Sequence, residues 1–160
     1  MNASLRGPVA VAALCAVLVA SLGALATDLG PWYRGLVKPP WQPPDVLFGP
    51  AWTVIFGLCA ASAALGWTKS PSRAARIRVV QLFGVNMSLN VLWSLLFFRL
   101  HRPDWSLAEV ALLWLSIVVL IFALRRVCGS AAALLVPYLA WVSFAAWLNL
   151  AIVRLNGPFR

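Results

Sequence analysis

The stretch Val79–Phe98, VVQLFGVNMSLNVLWSLLFF, is an uncharged and largely apolar part of the chain. A helix rises 1.5 Å per residue, so about 20 apolar residues cross the roughly 30 Å of a bilayer's hydrocarbon core. Four further stretches have this character, and only one of them contains a charge. We therefore predict an all-α fold, an integral membrane bundle of five transmembrane helices in one domain. The predicted spans are about 9–26, 46–67, 79–98, 105–124 and 131–153.

The composition of the whole chain points the same way. It is 62% hydrophobic and 11% charged, whereas soluble domains are roughly 45–50% apolar and about 25% charged. Thirteen Lys and Arg against four acids give a net charge of +9, but these cations stand between the apolar runs, where they meet lipid headgroups. We therefore expect membrane lipids, and not nucleic acid, as partners of an integral, multi-pass membrane protein.

Individual residues in and around the spans lead to four further expectations. Arg6, an apolar run and Ala24-Leu25-Ala26 are also typical of a cleaved signal peptide, which is the alternative to a retained first span. Seven cations on one side of the membrane and six on the other are too similar to predict an orientation. Glu109 lies one turn inside the fourth span, and we expect it to face the interface. Pro137 is expected to kink the fifth span.

Tryptophan is unusually frequent, with nine residues in the chain. Tryptophans form belts at membrane interfaces, and this explanation fits Trp67 and Trp105 at the ends of spans. It fits less readily Trp32, Trp41 and Trp52, which cluster around the first loop. It also fits less readily four others within spans, where a buried indole N–H needs a partner. These four are Trp93, Trp114, Trp141 and Trp147.

Three spans carry aromatic rings and amides on one helical face. In the third span Asn86, Asn90, Trp93 and Phe97 follow i, i+4, i+7, i+11 spacing. Amides are costly in lipid and point into the bundle, where they serve either as packing contacts between helices or as part of a pocket. Such a pocket suits a flat, largely apolar ligand. The other two faces are Trp52 with Phe56, and Tyr138 with Trp141, Ala145 and Asn149.

The segment 27–45 between the first two spans is rich in proline and aromatic residues, including Trp32, Tyr33 and Pro44. Proline fixes φ and lowers the entropy cost of ordering a loop. We therefore expect a structured lid over one end of the bundle, with an interfacial loop anchored by aromatics as the alternative. Lys38 is the cation in this segment that we expect to be available for an anionic group such as a carboxylate.

Catalytic residues are not evident in the sequence. The single histidine, His101, lies in a short loop, and the acids form no pair on one helical face. The three cysteines show no metal-ligand spacing. We therefore predict no metal site, no catalytic residue and no obligatory cofactor.

Taken together, several motifs resemble the translocator protein, or tryptophan-rich sensory protein, family. In the lid these are Trp32-Tyr33, Lys38-Pro39-Pro40-Trp41 and Pro43-Pro44. Asn90, Trp93 and Phe97-Phe98 resemble the family's third-helix motif, and Val136-Pro137-Tyr138, Trp141, Ala145 and Leu148-Asn149 resemble its fifth. The resemblance extends over nearly the whole chain.

The resemblance implies five transmembrane helices, a homodimer and a pocket beneath the lid that binds porphyrins or other haem-type tetrapyrroles. It also implies roles in the pocket for Trp52, Phe56, Asn86, Asn90, Tyr138, Trp141 and Ala145. No Lys or Arg follows Tyr138 within five residues, so the sterol motif of animal members is missing and a bacterial membrane is favoured. The full set of predicted ligand-binding residues is Trp32, Tyr33, Lys38, Pro44, Trp52, Phe56, Asn86, Asn90, Trp93, Tyr138, Trp141, Ala145 and Asn149.

The function expected from this resemblance is tetrapyrrole binding for sensing, regulation or passive transport. One alternative is an enzyme in which Trp52 and Trp141 support photo-oxidative degradation of the porphyrin. A second alternative is a structural membrane partner that binds no ligand.

Overall fold

In the computed structural model, which describes residues 3–159, the chain is all-helical and contains no strand within that range. Five helical segments are long and apolar enough to cross a membrane, so the predicted fold is confirmed. A 3-10 turn, Asp45–Leu47, precedes the second span, and a π-helical turn, Leu95–Arg99, extends the third. The helices are α1 (Ala3–Ala26), α2 (Pro31–Gly35), α3 (Phe48–Lys69), α4 (Arg73–Ser94), α5 (Pro103–Arg125), α6 (Gly129–Ala133) and α7 (Val136–Asn156).

The third span begins six residues earlier than its apolar run. Ser72 is the N-cap of α4, and its hydroxyl accepts a hydrogen bond from the backbone N–H of Ala75 at 3.2 Å. Alanine and arginine are good helix formers, so the turn after the cap is helical although it is charged. Arg73, Arg76 and Arg78 therefore lie on a helix and not in a loop.

The fifth span is broken where Pro137 predicts it. A turn at Leu134 and Leu135 separates α6 from α7. Proline has no N–H to donate to the carbonyl of Ala133, four residues earlier, and its ring crowds that carbonyl. Across the broken span, Ser62 of α3, which is fully buried, donates to the carbonyl of Ala131 at 2.7 Å.

The core is built around α5, which packs against α4, α6 and α7. Its residues Ile117, Leu120 and Leu124 are almost completely buried. A β-carbon on Gly66 of α3 would lie 2.6 Å from Leu124 Cδ2, so the glycine leaves room for the Leu124 side chain beside α3. The first span, α1, packs against α3 and α4; that it is retained and not cleaved stays a prediction.

The expectation for Glu109 was wrong. Its side chain is only 6% exposed, and both carboxylate oxygens are buried without a hydrogen-bond partner among the described residues. Glu109 follows Ser106 by three residues and precedes Leu113 by four, and both of these face the bundle interior. Helical periodicity therefore turns Glu109 inward, away from the headgroups.

Two of the tryptophans within spans lie on the outside of the bundle. Trp147 is 61% exposed, and Trp114 is also exposed, with its indole N–H donating to Ser143 Oγ at 2.9 Å. Both rings border a shallow groove between α5 and α7. The two residues are therefore part of the lipid-facing surface.

Candidate functional site

A cavity of about 700 Å³ lies among the five spans at the end where α1 finishes and α3 begins. This volume is in the range of pockets that enclose small-molecule ligands. The segment 27–45, called the lid below, covers that end and contributes Thr27, Leu29, Tyr33, Gln42 and Asp45 to the wall. The spans contribute mostly apolar residues, among them Gly23, Trp52, Phe56, Asn90, Trp93, Val110, Leu113, Trp141, Ala145 and Asn149.

Aromatic rings from α3 and α7 form a continuous part of the wall. Trp52 stacks on Phe56 with ring centroids 5.3 Å apart. The ring of Trp141 stands nearly perpendicular to that of Trp52, at 6.5 Å and 84°. Phe48 meets Trp141 edge to face at 5.7 Å. These contacts fix the rings, so the wall presents preformed π surfaces to the cavity.

A second aromatic group belongs to α4 and the π-helical turn. Trp93 stacks on Phe97 at 5.1 Å, and both line the cavity. The π-helical turn carries Phe97 and Phe98, whose ring centroids are 4.8 Å apart. Trp93 Nε1 is buried and has no hydrogen-bond partner in the described part of the chain.

Behind the wall, a line of hydrogen bonds joins α4, α7 and α5. Asn90 Nδ2, at the cavity wall, donates to the hydroxyl of Tyr138 at 3.2 Å. That hydroxyl donates to Asn86 Oδ1 at 3.3 Å, and Asn86 Nδ2 donates to Ser116 Oγ at 2.8 Å. Tyr138 is 1% exposed, so the network lies in the packed interior. It holds the amide of Asn90 in place beside the cavity.

Asn149 of α7 connects the cavity to the start of α5. With its amide oriented so that both groups are satisfied, Nδ2 donates to the carbonyl of Pro103 at 3.1 Å, and Oδ1 accepts from Ser106 Oγ at 2.9 Å and from Leu107 N at 3.1 Å. Asn149 is 1% exposed and lies in the cavity wall. Its polar groups are therefore committed to the scaffold.

The roof of the cavity is a cluster of polar lid residues around Asp45. The hydroxyl of Tyr33 donates to Asp45 Oδ1 at 2.8 Å, and Gln42 Nε2 donates to the same oxygen at 3.1 Å. Lys38 Nζ lies 3.4 Å from the other carboxylate oxygen and 3.8 Å from the centroid of the Tyr33 ring. Burial and the hydrogen bond to Asp45 raise the pKa of Tyr33 above its ordinary value. Lys38 is thus paired within its own lid.

The lid is attached to the bundle at separate points. Trp32 stacks on His101, in the loop after the third span, with centroids 4.2 Å apart. The backbone N–H of Val37 donates to Asn156 Oδ1 at 2.8 Å, and Asn156 Nδ2 donates to the carbonyl of Val37 at 2.9 Å. This pair of bonds joins the lid to the end of α7. The segment is therefore a docked structure and not a free loop.

The predicted site residues divide between the cavity wall and its surroundings. Those that line the cavity are Tyr33, Trp52, Phe56, Asn90, Trp93, Trp141, Ala145 and Asn149. Of the others, Asn86 and Tyr138 lie behind the wall, Lys38 is bonded to Asp45, and Trp32 is stacked on His101. Pro44 directly precedes the turn that carries Asp45 and is not among the lining residues.

Several lining residues were missed from the sequence. Gln42 and Asp45 lie in the lid without a periodic pattern, and Val110 and Leu113 belong to an evenly apolar span. Gly23 of α1 belongs to a run of small residues that could equally face lipid. In α5, Ser106, Glu109 and Leu113 are separated by three and then four residues. This spacing would have indicated that they share the inward face of the helix.

Comparison with known proteins agrees with this architecture. The TspO/MBR family model matches residues 11–155. The tryptophan-rich protein TspO of Chlorobaculum tepidum is 40% identical over 153 residues, which cover 90% of this chain and 94% of the relative. Protein CrtK of Rhodobacter capsulatus is 34% identical, covering 91% and 89%. The translocator protein of Homo sapiens is 32% identical, covering 81% and 77%.

The match covers most of the chain, and the structure has five helices able to cross a membrane. The predicted family is confirmed by both the family model and the relatives. The chain is a multi-pass integral membrane protein of the translocator and tryptophan-rich sensory type, and it belongs to the TspO/MBR family.

Proposed function

We propose that the chain binds a flat, largely apolar tetrapyrrole of the porphyrin type in the cavity beneath the lid. The observation that carries this proposal is the cavity of about 700 Å³ with three tryptophans, Trp52, Trp93 and Trp141, in its wall. Preformed aromatic surfaces favour flat π systems, because stacking adds to the burial of apolar area.

The polar groups of the wall support the same ligand class. The N–H of Trp93 and Oε1 of Gln42 are buried and unpartnered within residues 3–159, and both residues line the cavity. A buried polar group without a partner costs roughly 1–3 kcal/mol. A ligand with an acceptor near Trp93 and a donor near Gln42 would recover part of this cost, provided that both side chains can turn toward it. Porphyrins carry oxygen acceptors at the periphery, in their propionate groups, and these could accept from the N–H of Trp93.

The role of such binding is sensing, regulation or passive transport, as the names translocator protein and tryptophan-rich sensory protein of the relatives suggest. The relatives in Chlorobaculum and Rhodobacter favour a bacterial membrane as its location. A homodimer stays a prediction.

The experiment is quenching of tryptophan fluorescence by protoporphyrin IX in detergent. The site variant is Trp52→Phe/Trp141→Phe, and the matched control is Trp114→Phe/Trp147→Phe, whose rings face outward. Each double variant removes two of the nine tryptophans, so both lose the same number of fluorophores. We expect saturable quenching with the wild-type midpoint in the control, and a Kd about tenfold higher in the site variant.

Two outcomes would contradict the proposal. Quenching that rises without saturation in all three proteins would mean that the porphyrin dissolves in the micelle. Equal weakening in both double variants would mean that it binds the outer surface. The structural-partner alternative would then lead, and it also expects Asn90→Leu to leave ligand affinity unchanged.

A second candidate function is light-dependent oxidation of the bound porphyrin by dioxygen. The adjacent rings of Trp52 and Trp141, at 6.5 Å, favour it because both are at the cavity wall and could exchange an electron with a stacked macrocycle. Illumination in air should then bleach the porphyrin with the wild type and with the Trp114→Phe/Trp147→Phe control, and not with Trp52→Phe/Trp141→Phe. Equal bleaching in all samples would be free photochemistry.

A further inference from the structure

The end of the bundle opposite the lid carries a ring of cations. α1 ends and α3 begins at the lid, and successive spans alternate in direction. The start of α1, the end of α3, the start of α4 and the end of α5 therefore lie together at the opposite end of the bundle. The side chains of all seven cations in this ring are exposed. We call this surface the basic face, and it consists of Arg6, Lys69, Arg73, Arg76, Arg78, Arg125 and Arg126.

The basic face has no carboxylate to balance it. The chain contains four acids, Asp28, Asp45, Asp104 and Glu109, and all of them belong to the lid half of the bundle. Among residues 3–159, the two ion pairs are Lys38–Asp45 and Arg102–Asp104, both at the lid end. The seven cations therefore form no ion pair with any side chain that the structure describes.

At the lid end, in contrast, three of the described cations are bonded to other groups of the protein. Besides the two ion-paired residues, Arg99 donates to the backbone carbonyl of Leu25. Arg34 and Arg154 are exposed and form no ion pair in the described structure. A simple count of cations, seven against six in the sequence, concealed this difference. Seven cations without an ion pair therefore lie on the basic face, against three, Arg34, Arg99 and Arg154, in the described part of the lid end.

The position of the basic face indicates what neutralises it. Its cations surround the ends of membrane-spanning helices, at the depth of the lipid headgroups. The guanidinium carbon of Arg76 lies 5.8 Å from the ring centroid of Trp67, and tryptophan at the end of a span is typical of that depth. α6 contacts both α3 and α5, so Lys69 and Arg126 belong to neighbouring parts of the surface.

We propose that the basic face binds anionic phospholipids, with their phosphate groups against Lys69, Arg73 and Arg126. Cations next to a span gain roughly 1 kcal/mol each from an anionic membrane surface. Seven like charges on one side also repel one another, and a lipid phosphate between them reduces that repulsion. This interaction does not depend on the cavity or its ligand.

The test is titration of the purified full chain in detergent with a fluorescent phosphatidylglycerol. The variant is Arg73→Gln/Arg126→Gln, and the matched control, Arg34→Gln/Arg154→Gln, removes the same charge from the lid end. We expect the Kd for phosphatidylglycerol to rise about tenfold in the first and to stay within about twofold of wild type in the second. Arg73→Lys/Arg126→Lys keeps the charge and should retain binding, which separates loss of charge from misfolding.

Three results would overturn the proposal. If the two glutamine variants weaken binding equally, only the net charge of the protein matters. If a fluorescent phosphatidylcholine binds as tightly as phosphatidylglycerol, the basic face does not select anionic headgroups. Inorganic phosphate at the same concentration as the lipid would displace it if the face bound free phosphate and not a lipid. We expect instead that inorganic phosphate competes poorly, because it lacks the acyl chains that keep the lipid beside the helices.

Discussion

Replacing Tyr138 with Phe removes one hydroxyl from the interior of the bundle and leaves the aromatic ring in place. The hydroxyl accepts from Asn90 at 3.2 Å and donates to Asn86 at 3.3 Å. Both bonds are long for their type, so each is expected to be weak. Side-chain hydrogen bonds in membrane proteins average about 0.6 kcal/mol each, so the two together contribute roughly 1 kcal/mol.

The second part of the cost is the amide that Tyr138→Phe leaves without a partner. Asn86 Nδ2 keeps its bond to Ser116, but Asn86 Oδ1 loses its donor and Asn90 Nδ2 loses its acceptor. A buried donor without an acceptor costs about 1–3 kcal/mol, and we take the lower end because Asn90 borders the cavity. The expected loss for Tyr138→Phe is therefore about 2 kcal/mol of unfolding free energy.

The assay is reversible unfolding in mixed micelles of mild and denaturing detergent, followed by far-UV circular dichroism. Ser88→Ala is the control, because it removes an exposed hydroxyl from the same helix as Asn90, and it should change stability by less than about 0.5 kcal/mol. A double-mutant cycle of Tyr138→Phe with Asn90→Leu should give a coupling of about 1 kcal/mol. The reasoning is refuted if Tyr138→Phe behaves like Ser88→Ala, or if the two substitutions are additive.

Further predictions concern the lid and the buried acid. Asn156→Leu removes both bonds to Val37 and should cost about 1–2 kcal/mol; the Val37 amide should exchange its hydrogen faster, and unchanged exchange would mean that the lid is held elsewhere. Glu109→Leu removes two unpartnered oxygens and should raise stability by about 1–2 kcal/mol, whereas a loss of stability would reveal a partner. Because the pKa of Tyr33 is raised on folding by burial and by Asp45, its contribution to stability is present below pH 10.0 and decreases as the pH rises toward the folded pKa. Tyr33→Phe should lack that alkaline decrease, and a wild-type-like decrease would assign it to another group.

The spans could be predicted because a bilayer leaves a chain few alternatives. In hydrocarbon every backbone polar group must be bonded internally, so a long uncharged run becomes a helix whatever its detailed sequence. The residues at which the helices begin and end were harder to predict. The apolar run suggests a third span from Val79, but the cap at Ser72 starts the helix earlier, and its arginines extend from the helix to the headgroups.

The site could be predicted by helical face but not by individual residue. Asn86 and Asn90 are one turn apart on the same face of α4, yet Asn90 lines the cavity and Asn86 bonds to Ser116 behind it. That difference depends on where α5 and α7 lie, which the spacing on α4 does not encode. The pairing of Lys38 with Asp45 depends in the same way on how the proline-rich lid folds back on itself.

The carboxylate of Asp45 has a consequence for how an acidic molecule can lie in the cavity. Both of its oxygens are already engaged, by Tyr33 and Gln42 on one side and by Lys38 on the other. The roof is thus electrically self-compensated and offers no spare positive charge. A macrocycle with propionate arms therefore gains no ion pair by directing them at the roof. Esterifying those arms should therefore change its affinity little.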